Sequence, residues 1–151
     1  MRLFLQSFRY AWNGLIAAVR AERNLRFHMG IAFYVYLFSL FYSFSTFEYC
    51  IITLLVGVML ALELVNSALE RAVSHPSPEK YHEAGLVKDM AAAAVLVFSV
   101  AAVVCGILLF WQPAVLRHIP AWFFERPLWL LPLALSLVGW GWFIFGKRRP
   151  Q

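Results

Sequence analysis

The chain has 151 residues, of which 62% are hydrophobic and 14% charged, with a mean hydropathy of +0.71, a net charge of +5 and a pI near 9.6. Too few polar side chains are present to cover a water-soluble domain, so the composition places the chain among integral membrane proteins. Its basic excess then points to membrane topology and anionic lipid headgroups rather than to nucleic acid.

The first 20 residues are not a secretory leader, because Arg9 interrupts the apolar pattern and no small-residue cleavage site follows. Leu3, Phe4, Phe8, Ala11, Trp12, Leu15, Ile16 and Val19 recur at helical spacing, and Arg2, Gln6, Arg9, Asn13 and Arg20 occupy the remaining positions. That pattern predicts an amphipathic helix lying in the membrane interface. Apolar runs of spanning length follow at Met29 to Phe47, Tyr49 to Ala72, Met90 to Trp111 and Leu128 to Phe145, so four spans are expected. Residues 112–127 read as an extracytoplasmic connection, and residues 128–151 as a last span with a basic tail.

Basic residues cluster before the first span, between spans two and three (Arg71, Lys80, Lys88) and after the fourth (Lys147, Arg148, Arg149). The positive-inside rule therefore puts both termini and the second connection in the cytoplasm. Cys50 and Cys105 make no motif and read as small buried hydrophobes, and the four histidines are too scattered for a metal set. GWFIFGK at Gly141 to Lys147 matches a phosphate-loop spacing by accident, since Arg148 replaces the required Ser/Thr and no strand precedes it.

The second run holds the chemistry. In MLALELVNSALERAV, Glu63, Asn66 and Glu70 stand at i, i+3 and i+7, on one helix face. A charge near the bilayer centre costs roughly 2.5–3.5 kcal/mol on insertion scales, so such acids face a bundle interior, a partner or an ion. One reading is interhelical glue through hydrogen bonds. Another comes from what gathers on the cytoplasmic side: Glu22 before the first span, Glu70 at the end of the polar face, Tyr81, His82 and Glu83 in the next loop, and Lys88 with Asp89 opening the third span. Converging carboxylates suit Mg²⁺, a lysine suits a phosphate, and the deeper Glu63 suits a proton from a lipid hydroxyl. Together they fit phosphoryl transfer at an interface. The competing class is a four-span transporter or scaffold in which Glu63 and Glu70 relay protons or bind a cation.

At YAWNGL (Tyr10 to Leu15), ERNLRFH (Glu22 to His28), LELVNSALE (Leu62 to Glu70) and YHEAGLVKDMAAAAVL (Tyr81 to Leu96), the chain resembles the small prokaryotic diacylglycerol kinases and the related undecaprenol kinases. The resemblance implies an all-α integral membrane lipid kinase domain over residues 1–111, with a surface helix and three spans, in the bacterial cytoplasmic membrane. It implies Mg²⁺ with ATP as co-substrate, and homotrimers whose active sites are completed between subunits. By the same resemblance Glu63 is the catalytic base and Asn66 the polar residue beside it. Glu22 and Glu70 hold Mg²⁺ with ATP; Lys88 and Asp89 contact ATP, and Tyr10, Lys80, Tyr81 and His82 fall where the nucleotide is touched. ERNLRFH and the alanine run after KDM are similar to the undecaprenol branch, with diacylglycerol as the alternative substrate. The chain departs from the pattern at Ser74, where some members carry an acid, in a shorter loop between His82 and Lys88, and in the added fourth run. A degenerate kinase kept for assembly is opposed by the intact Glu22, Glu63, Asn66, Glu70, Lys88 and Asp89.

Overall fold

The computed structural model describes residues 2–146, with side chains from Phe4 onward. The basic tail at 147–149, on which part of the topology argument rests, lies outside the described residues, as do the side chains of Arg2 and Leu3. Six α-helices run in order: α1 (Arg2–Ala21), α2 (Arg23–Ser39), α3 (Thr46–Ala72), α4 (Tyr81–Phe110), α5 (Pro113–Glu125) and α6 (Leu130–Phe145). Short 3₁₀ turns at Pro78–Lys80 and Pro127–Trp129 lead into α4 and α6.

Helix α1 leaves Phe4, Phe8 and Trp12 uncovered, as an interfacial helix does. Three described segments are long and apolar enough to cross a membrane: Thr46–Ala72, Pro78–Phe110 and Pro127–Phe145. The expected first span is displaced. Helix α2 starts at Arg23 and stops at Ser39, and its 17 residues rise only about 25 Å against a hydrocarbon core of ~30 Å. Its end is set by a side-chain bond from Ser39 Oγ to the Tyr36 carbonyl (2.7 Å) and by the capping box that opens α3. There Ser45 Oγ accepts from the Glu48 amide while the Glu48 carboxylate accepts from the Ser45 amide at 2.6 Å. The turn therefore falls before Ser45, and Glu48 belongs to the first turn of α3.

Helices α3 and α4 form the largest helix pair, with Ile52, Met59 and Ala91 buried and Ser99 Oγ reaching Met59 Sδ at 3.9 Å. At the far end Tyr42 donates to the Phe110 carbonyl (2.9 Å) and stacks on Phe44, closing α4. Two further expectations are corrected. Tyr81, His82 and Glu83 lie in the first turn of α4 rather than in a loop, because Pro78 starts the turn one step earlier and Glu83 suits a helix N-terminus. The connection 112–127 folds as α5, begun by Pro113, with Trp122 and Phe123 against Phe41 in the turn that follows α2. Both cysteines are free, and neither is buried as expected: Cys50 is exposed and Cys105 half-buried. Gly141 lies inside α6, whose helical amides are engaged, so no phosphate loop forms there.

Candidate functional site

The site begins with a carboxylate that the fold hides. Glu63 lies nine residues before the end of α3, about 13 Å along the helix, and is 3% exposed. Across the α2–α3 packing, His28 Nε2 stands 3.2 Å from Glu63 Oε1, so the ring N–H donates to the acid. One turn further along α3, Asn66 Nδ2 donates to Glu70 Oε1 at 3.0 Å, and Asn66 Oδ1 is buried with no partner. A buried acceptor left unpaired costs about 1–3 kcal/mol, which a donor or cation arriving there would relieve.

Glu22 occupies the break between α1 and α2 as the N-cap of α2. Its side chain makes no capping bond to its own helix and instead accepts from Arg71 Nη2, at the end of α3, at 2.8 Å. The Arg71 side chain is 55% exposed, so the pair is a surface bridge worth about 0–1 kcal/mol and readily exchanged for another cation. Glu63 interacts electrostatically with His28, Glu70 and Glu22, which makes these four residues one polar neighbourhood where the start of α2 meets the last turns of α3. Among the described residues, no three His, Cys, Asp or Glu side chains stand close enough to hold a metal unaided. Mg²⁺ does not require such a cage, since it is bound through one or two carboxylates plus substrate phosphates. The oxygen-only set of Glu22, Glu70 and the orphaned Asn66 Oδ1 fits that chemistry.

The remaining candidates lie on other elements of the chain. Tyr81, His82, Lys88 and Asp89 lie on the polar first turns of α4, with Tyr81 and Lys88, and likewise His82 and Asp89, seven residues apart and so on shared faces. Lys80 ends the 3₁₀ turn before them, and Tyr10 is exposed on α1. Among the described residues no hydrogen bond or ion pair joins any of these six to Glu22, Glu63 or Glu70. Sequence reasoning missed His28 and Arg71 as partners. His28 stands inside the ERNLRFH segment already singled out, but its pairing crosses two helices and carries no spacing signal.

From His28 an apolar groove of about 850 Å³ runs between α2, α3 and α4, past Met59, Ser99 and Gly106 to Phe110 and Trp111. A polar headgroup at Glu63 and a long hydrocarbon tail in this groove are compatible with one ligand.

The residue pattern of the family described as prokaryotic diacylglycerol kinase matches residues 9–110. The chain is 38% identical over 107 residues to the undecaprenol kinase of Bacillus subtilis, covering 71% of this chain and 87% of that protein. It is 37% identical over 103 residues to a diacylglycerol kinase of Synechocystis sp., covering 68% of this chain and 59% of the relative. The diacylglycerol kinase of Escherichia coli K12 is 28% identical over 103 residues, covering 68% and 84%. No solved structure matches.

Proposed function

The chain belongs to the prokaryotic diacylglycerol kinase family of membrane lipid kinases, and from that premise we propose that it phosphorylates the primary hydroxyl of undecaprenol with ATP. The observation that carries the reading is Glu63, 3% exposed, bonded by His28 at the head of the apolar groove. The relative named undecaprenol kinase supports this acceptor, and the relatives named diacylglycerol kinase make diacylglycerol the second reading. Family membership leaves no role for the transporter and scaffold readings.

In the proposed mechanism the lipid hydroxyl approaches Glu63, which takes its proton as the oxygen attacks the γ-phosphorus and the bond to ADP breaks. His28 holds the Glu63 carboxylate in one orientation by its N–H bond. Asn66 steadies Glu70 and presents Oδ1 to the incoming groups. Glu22 and Glu70 are the residues that would hold Mg²⁺, and Arg71 beside Glu22 yields its contact. Mg²⁺, when bound, neutralises phosphate charge and makes the γ-phosphorus more electrophilic. Lys88 and Asp89, with Lys80, Tyr81, His82 and Tyr10, serve the nucleotide from the start of α4 and from α1; that none of them bonds Glu22 within a single chain is compatible with sites completed between subunits of a homotrimer.

The kinase unit is residues 1–111, working from the cytoplasmic leaflet of the bacterial inner membrane, with α1 on the surface and both termini cytoplasmic. Residues 112–127 are its outward connection and residues 128–151 its added span and tail.

The test is transfer of labelled phosphate from Mg·ATP to undecaprenol and diacylglycerol offered together in mixed micelles. Preferential labelling of undecaprenol is expected. Preference for diacylglycerol overturns the acceptor, and labelling of neither overturns both.

A further inference from the structure

Helix α6 lies beyond the residues matched to the family, yet it packs on α2 in strict register. Tyr34 Oη and Ser136 Oγ are 3.0 Å apart. Four residues back on α2 and four forward on α6, the Trp140 ring occupies the space where a Cβ on Gly30 would stand. After another step of four on each helix, Arg26 Nη2 donates to the Ile144 carbonyl at 3.0 Å. Three contacts stepping by four in opposite directions define an antiparallel pair whose i±4 ridges meet. Phe27 stacks on Trp140 at 5.6 Å, and the Arg23 guanidinium stands 6.0 Å from the Phe145 ring centroid, adding to the same seam.

Arg26 gives this seam a consequence. It is 6% exposed, and besides Ile144 its Nη1 donates to the carbonyls of Val19 and Arg20 at 2.9 and 3.0 Å. One guanidinium thus caps the C-terminal ends of both α1 and α6, where carbonyls lack intrahelical donors and carry partial negative charge. Between Arg20 and Arg26 lies Glu22, at the junction of α1 and α2. Withdrawing α6 would remove the acceptor of a buried charged donor and loosen the residue that ties this junction together.

We infer that α6 is an added positioning element for the nucleotide end of the site: seated on Gly30 and Arg26, it fixes the α1–α2 junction and with it the Glu22 carboxylate. Arg26 is the positioning residue and touches none of the reacting groups. The inference rests on the assignment of Glu22 to Mg·ATP.

The test uses the full chain in detergent, with two variants that unseat α6. Gly30→Ala drives a Cβ into the Trp140 ring, and Trp140→Ala removes the ring without a clash. Docking is read by mass spectrometry from a short bismaleimide cross-link between Tyr34→Cys and Ser136→Cys, in a background with Cys50 and Cys105 changed to Ser. Each variant is expected to lower this cross-link and raise the Kd for Mg·ATP roughly two- to thirtyfold, leaving the KM for undecaprenol near wild type. A general loss of folded protein would lower binding amplitude without moving the Kd, and Trp140→Ala keeps the question open to measurement if Gly30→Ala does not accumulate. Loss of the cross-link with an unchanged Kd in both variants overturns the inference alone. Failure of the wild-type protein to bind Mg·ATP overturns the nucleotide reading of Glu22 and this inference with it.

Discussion

His28 Nε2 lies 3.2 Å from Glu63 Oε1, joining the segment that precedes the α2 membrane face to the most deeply placed acid of α3. The imidazole is 20% exposed and the carboxylate side chain 4%, so the pair sits where the polar end of α3 gives way to the apolar groove. If the carboxylate is the proton acceptor, Glu63→Gln keeps the shape and the hydrogen bond but removes the basicity. Turnover should fall about 10²–10⁴-fold while the Kd for Mg·ATP stays near wild type. Near-normal single-turnover phosphorylation by Glu63→Gln would remove the base assignment.

The same contact predicts a different signature for His28. Its proposed work is orientation, so His28→Ala should lower kcat by about tenfold to a hundredfold with little change in the KM for Mg·ATP. His28→Asn, which retains an N–H donor, should recover part of that loss. Equal losses in Ala and Asn variants, or a loss confined to KM, would assign His28 to packing instead.

At the membrane surface the expected dependence is on metal rather than on chemistry. Glu22→Gln and Glu70→Gln each remove one anionic oxygen ligand and should raise the Mg²⁺ concentration needed for half-maximal rate, with kcat approached again at high Mg²⁺. Arg71→Ala is the control for the Glu22 bridge: an exposed pair of this kind contributes about 0–1 kcal/mol, so thermal stability should move little. A titration of rate against Mg²⁺ in the three variants checks both expectations, and unchanged Mg²⁺ dependence in both Gln variants would remove the metal assignment.

The polar face of α3 was legible because Glu63, Asn66 and Glu70 follow helical periodicity inside an apolar run, a pattern with few cheap explanations. Its partners were not, since His28 and Arg71 meet their acids across helices and no local spacing encodes that meeting. Arg26 belongs by sequence to the basic residues before the expected first span, but it is buried against three carbonyls, which only packing reveals. The start of α4 was hidden by its polar first turns, which carry no apolar period, and α5 by its two prolines. The last span was readable in place from hydropathy alone, whereas its seat on Gly30 depends on the absence of a side chain, which leaves no mark on helical periodicity.

The groove supplies the remaining prediction, because it separates lipid recognition from nucleotide chemistry along the length of the molecule. Gly106 lines it on α4, far from Glu63, and nothing stands within 4 Å of where a Cβ would project. Gly106→Leu is therefore expected to fold and to fill part of the channel rather than clash with a neighbouring helix. An isoprenoid long enough to run past this point would lose contact there, whereas a short one bound nearer His28 would not. The KM for undecaprenol should rise roughly tenfold, that for farnesol should change little, and the KM for Mg·ATP should stay constant. Parallel kinetics with the two alcohols make the comparison internal to one variant. If Gly106→Leu affects both alcohols alike, or neither, the hydrocarbon tail does not lie in this groove, even if Glu63 remains the base.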